Sequence, residues 1–73
     1  MRQILVRVGE PARLRELAEY LTGLGCSVAV VDDDSVAVVL TAVPRRDAAE
    51  LELDLYLRVF EARAGVRASR VNS

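Results

Sequence analysis

Six stretches of patterned hydrophobicity follow one another along these 73 residues in the order strand, helix, strand, strand, helix, strand, and no connection exceeds five residues. That order leaves few ways to bury every apolar face. Residues 2–8 alternate, with Ile4, Val6 and Val8 on one face and Gln3, Leu5 and Arg7 on the other, which predicts a strand. Gly9 breaks it. Pro11 suits the first turn of a helix, where its missing N–H costs nothing, and Glu10 sits beside the positive end of the dipole. Leu14, Leu17, Ala18, Leu21 and Leu24 then recur at helical spacing, and Gly23 and Gly25 end the segment, one of them in a left-handed conformation.

Residues 26–31 and 35–41 alternate about Asp32, Asp33 and Asp34, three like charges that belong in solvent at a hairpin tip, where adjacent carboxylates diverge. Pro44 closes the hairpin, and Asp47-Ala48-Ala49-Glu50 has the form of a capping box opening a helix over 47–64. Within it Leu51, Leu53, Leu55, Leu57 and Val59 alternate as a strand would. The strong helix formers, and the single face made by Ala49, Leu53, Tyr56, Leu57, Phe60 and Ala64, decide for helix. Gly65 ends it, and 66–71 reads as an edge strand carrying Arg67 and Arg70. The sum is an α+β fold: a ferredoxin-like βαββαβ sandwich, a four-stranded antiparallel sheet with two helices on one face, first and third strands central.

Several classes of function are disfavoured. The chain has room for one domain over 1–73, and at this size association would add stability. No apolar run approaches the ~18 residues that span a bilayer, and there is no secretory pattern at the start, so a cytoplasmic location and no membrane partner are expected. A net charge of -1 offers no general attraction to phosphate backbones. All basic residues are Arg, which with the Ala and Val excess reflects genome composition rather than guanidinium chemistry. The aromatics Tyr20, Tyr56 and Phe60 fall on helices, not on the central strands where RNA-binding sandwiches stack bases, so no nucleic acid is expected.

The chemistry of catalysis is thin. There is no His, and the lone Cys26 starts an apolar strand, where a small buried hydrophobe is the ordinary role. No catalytic set, metal site or cofactor is expected. Arg45 and Arg46 read as a solvated pair before a helix. Arg7 and Arg67 would frame the open sheet face if the last strand has the matching register.

Two apolar surfaces are left over. Leu5, Ala29, Val31, Ala37 and Val39 fall together on the sheet face away from the helices, beside Arg7, and this is read as an interface. Ala48, Leu51, Leu55, Val59 and Ala62 make a second stripe on the later helix. There the simpler reading is that a broad helix face wraps the sheet edge and buries both stripes, with an interface as the alternative. The function expected is a small non-catalytic interaction module that homodimerises and takes a small-molecule or protein partner.

Val8-Gly9-Glu10-Pro11-Ala12-Arg13-Leu14-Arg15-Glu16-Leu17, a strand leading through an acidic–Pro turn into a Leu-spaced helix, resembles the start of an ACT domain, a regulatory module that binds amino acids and similar effectors. The likeness in element order extends over nearly the whole chain. Ala12 stands where that family has an effector-contacting Gly. Ordinary ACT domains also sit beside catalytic or DNA-binding domains, which these residues do not include. The resemblance implies side-by-side dimers with a ligand at the seam near Gly9, Glu10, Pro11, Ala12, Arg13 and Leu14, and so an alternative function as a sensor of an amino-acid-sized molecule.

Overall fold

The computed structural model describes residues 3–43 and 45–71. Strands β1 (Ile4–Val8), β2 (Ser27–Val30), β3 (Ser35–Val39) and β4 (Ala68–Arg70) form one sheet in the order β2-β3-β1-β4. Every pairing is antiparallel: Ile4 faces Val38 and Val6 faces Val36 between β1 and β3, Arg7 faces Ser69 between β1 and β4, and Ala29 faces Ala37 between β2 and β3. Helices α1 (Leu14–Gly23) and α2 (Arg46–Ala64) complete an α+β domain. No helix of the described residues is long and apolar enough to cross a membrane.

The core follows from alternation on the two central strands. Ile4, Val6 and Val8 of β1 and Val36 and Val38 of β3 point to one side and are buried together. Against them lie Leu14, Leu17 and Leu21 of α1 and Ala49, Leu53, Leu57 and Phe60 of α2, in a single cluster. Both helices therefore cover the same sheet face. They also meet each other, where the Tyr20 ring tilts against Phe60 at 5.6 Å between centroids and its hydroxyl donates to the Tyr56 carbonyl at 3.1 Å.

Several local expectations need correcting. The first helix begins as a 3-10 turn over Pro11–Arg13 before α1 proper. α1 ends at Gly23, so Leu24 is the cap residue, past the core, and is exposed. The strands are shorter at their ends than the alternation suggested, and Pro44 and Arg2 lie outside the described residues. The capping box does not form. α2 starts one residue earlier than the pattern implies, with Arg45 as an extended N-cap that lends no side chain. Asp47 thus sits inside the first turn, where its carboxylate complements the dipole and accepts from the Ala48 N–H at 2.9 Å. Glu50 turns to Arg46 at 3.0 Å instead of reaching back. The glycine punctuation is as expected: Gly25 at φ 92° and Gly65 at φ 73° take the left-handed turns that side chains avoid, and Gly65 caps α2 by donating to the Glu61 carbonyl at 2.9 Å.

Leu53 is fully buried where α2 meets the sheet, so Leu53→Ala should cost about 2–5 kcal/mol. Gly65→Ala should cost roughly 1 kcal/mol through backbone strain alone. Urea unfolding followed by circular dichroism measures both.

Candidate interaction site

Alternation that points one face of β1 and β3 into the core points the other to solvent. Leu5 lies in a row with Ala37 and Ala29 on one side and, beyond β1, with Val71, whose N–H donates to the Leu5 carbonyl at 2.9 Å. Leu5, Ala29, Val31 and Val71 are exposed and Val39 is half-buried. Ala37 is the exception and corrects its assignment to an interface: it is 3% exposed and yet not part of the core cluster. Its single methyl, on an inner strand between Leu5 and Ala29, is covered by its own neighbours.

Arg7 lies on this face, its Nε 3.6 Å from an Asp34 carboxylate oxygen, and its side chain is largely exposed. Arg67 stands opposite Gly9, whose N–H donates to its carbonyl at 2.7 Å. The register that sequence left open thus places both arginines at the same end of the outer face.

The two sheet edges differ in kind. On β4, the odd-numbered residues bond to β1, so the N–H and C=O of Ala68 and Arg70 point outward. That edge is partly covered by α2. The Ala68 N–H donates to the Glu61 carboxylate at 2.9 Å. The Arg70 guanidinium clamps α2 through two bonds to Asp54, at 2.7 and 3.0 Å, with Glu50 at 3.4 Å. The hydrogen bond to Asp54 raises the Arg70 pKa against a smaller opposing effect of desolvation.

On β2 the Val31 N–H donates to the Ser35 carbonyl at 3.1 Å, so by alternation the N–H and C=O of Val28 and Val30 face outward. Ser27-Val28-Ala29-Val30 has no charge and no proline, and Val30 is 62% exposed. It lacks the devices that normally keep an edge from pairing. This edge was not singled out in the sequence, although the uncharged run was there to be read.

A third surface is the back of α2. Leu51 is 69%, Leu55 58% and Val59 47% exposed, with Ala48 and Ala62 also exposed. The helix therefore does not wrap the sheet edge. Its core stripe is narrow enough to be satisfied by Ala49, Leu53, Leu57 and Phe60, leaving the second stripe in solvent.

The residues implied by the ACT resemblance are not gathered into a pocket. Gly9, Glu10, Pro11 and Ala12 are exposed, and Arg13 is engaged by Glu16 at 2.9 Å and the Ala64 carbonyl at 3.2 Å. Leu14 belongs to the core. None of these residues lines four open surface depressions, of about 300, 340, 500 and 30 Å³.

Asp32, Asp33 and Asp34 do not diverge as expected: one oxygen from each lies within 4.8 Å of the others. The turn explains the convergence, since Asp32 accepts from the Asp33 N–H and Asp34 from the Ser35 hydroxyl, both at 3.0 Å. Cys26 is buried, and desolvation, aided by the charge of Glu52, pushes its thiol pKa up, opposite to what a reactive thiol needs. Tyr56 is likewise raised, first by its hydrogen bond to Glu52 at 3.0 Å and then by burial.

The chain matches no family model, no curated protein and no solved structure.

Two outcomes test these assignments. In Glu61→Ala the Ala68 amide loses its partner, so its hydrogen exchange should quicken at least ~10-fold and stability fall by about 1 kcal/mol. Cys26 and Tyr56 both hold their protons more tightly folded than unfolded. The stability this adds is complete below their unfolded values, about 8.5 and 10, and is lost as pH rises through the folded ones. Urea midpoints should therefore decline above about pH 9, and Cys26→Ala with Tyr56→Phe should flatten that decline.

Proposed function

We propose that this chain is a ferredoxin-like, non-catalytic interaction module that works as a homodimer, joined through β2. The fold assignment rests on the order β2-β3-β1-β4 with β1 between two antiparallel neighbours, which is what two βαβ units, each split by an intervening strand, produce. The single observation that carries the function is the contrast between the edges: β4 is capped by Glu61 and clamped by Arg70, whereas β2 presents uncharged, unprotected backbone.

A second copy fits that edge with a two-fold axis at Ala29. Val28 then faces the partner's Val30 and Val30 the partner's Val28, and the outward N–H and C=O groups supply four backbone hydrogen bonds. At roughly 1 kcal/mol net each, these join the burial of Val28 and Val30 to favour association, against the entropy of bringing two chains together. The outer rows run on across the seam, so that the exposed Leu5 and Ala29 of both copies, with the covered Ala37 between them, lie on one continuous apolar face. That joined face, rimmed by Arg7 and Arg67, is where a protein partner of apolar, acidic character would dock.

Ala29 is exposed, so Ala29→Lys should leave the circular dichroism unchanged while setting like charges opposite each other on the axis. The sedimentation mass at about 100 μM should fall, to that of one chain where β2 is the sole contact between copies. A wild-type mass of one chain, or an unchanged mass in the variant, overturns the proposal.

A further inference from the structure

We propose that the back of α2 is a second two-fold interface, where the helix packs antiparallel against α2 of another copy with Leu55 on the axis. This rests on the reading of the chain as a self-associating module, but it uses a surface remote from β2, so that with both contacts made the β2-joined pairs link into assemblies larger than a dimer. α2 packs against β4, at the opposite end of the strand order.

The stripe reads the same in both directions. Ala48, Leu51, Leu55, Val59 and Ala62 are spaced three, four, four and three residues apart, small at the ends and large in the middle. Turned end for end about Leu55, the stripe falls on itself: Leu55 meets its own copy, Leu51 the partner's Val59, and Ala48 the partner's Ala62. All five are exposed, on the side of α2 away from Leu53, Leu57 and Phe60. The terminal alanines let the helix ends approach closely around the three large residues, as facing ridges require.

Charge selects the antiparallel arrangement over the parallel one. The first half of α2 carries Arg46 against Asp47, Glu50, Glu52 and Asp54, a balance of -3; the second half carries Arg58 and Arg63 against Glu61, a balance of +1. Parallel pairing would lay acidic half on acidic half. Antiparallel pairing lays acidic on basic and also opposes the two helix dipoles.

Individual residues agree. Arg58 and Arg63 make no ion pair among the described residues. With Leu55 on the axis, Arg58 comes about 3 Å along the helix from the partner's Asp54 on one flank. On the other flank Arg63 lies about 7.5 Å along the helix from the partner's Glu52, within the reach of an arginine side chain. The contact runs along about 21 Å of helix and buries on the order of 1,000 Å² in total, the lower bound for a specific interface.

Cysteine cross-linking in a Cys26→Ala background reads the register directly. Leu55→Cys places two thiols across the axis and should cross-link at least ten times faster than Leu51→Cys, whose copies lie about 12 Å apart along the helix. Leu51→Cys combined with Val59→Cys should restore fast cross-linking. All three positions are exposed, so folding is preserved.

Equal rates at positions 51 and 55, or no covalent dimer from Leu55→Cys, overturn the proposal. If Leu55→Cys fails while Ala29→Lys still halves the mass, only the α2 interface is lost and pairing through β2 stands. If Leu55→Cys cross-links as expected but Ala29→Lys leaves the mass unchanged, pairing through β2 fails and the α2 interface stands.

Discussion

Everything in this domain hangs on the pairing of β1 with β3. Each strand has a neighbour on both sides, so their backbone groups are satisfied within the sheet, and each must give one face to the helices. Val6 and Val36 sit opposite each other and are both fully buried, which fixes the register. A slip by one residue would bring Leu5 and Arg7 into the core and turn Ile4, Val6 and Val8 out to water. With that register set, the outer row of Leu5, Ala37 and Ala29 is determined as well. The exposed apolar face is the reverse side of the buried one.

Charge is spent unevenly around this frame. On the β4 side, Glu61, Asp54 and Glu50 of α2 reach down to Ala68 and Arg70, partly covering the edge and holding the helix against it. These pairs are partly exposed, and each contributes on the order of 1 kcal/mol at most, so their effect lies more in blocking strand addition than in holding the fold. Among the described residues no comparable contact covers β2, whose α1 neighbour places its own ion pair, Arg15 with Glu19, out in solvent. Arg58, on the flank of α2 that faces β4, and Arg63, on the other, make no ion pair among the described residues.

Much of this was legible in the chain itself. The central strands, the Asp hairpin and the glycine stops all follow from period and turn chemistry. The capping pattern misled because Asp-x-x-Glu marks a first turn without fixing its start, and α2 begins one residue before it. Ala37 misled because alternation tells which way a side chain points, and not whether its neighbours are larger. The double stripe on α2 misled only in extent: the face of Ala49, Leu53, Leu57 and Phe60 does find the sheet, but the pattern does not reveal that the second stripe stays in solvent. The cover that Glu61 gives β4 was not legible, since residues seven apart meet only after Gly65 turns the chain back.

The sequence by itself determined the order of elements, the faces of β1 and β3 and the sites of the turns, because these depend on spacing between near neighbours. Only the tertiary structure decided which sheet edge is partly covered, that Ala37 is hidden, and that Leu51, Leu55 and Val59 stay in solvent. Those outcomes depend on how far two covering helices reach across a four-stranded sheet. That reach is a property of packed volumes, and no local pattern carries it.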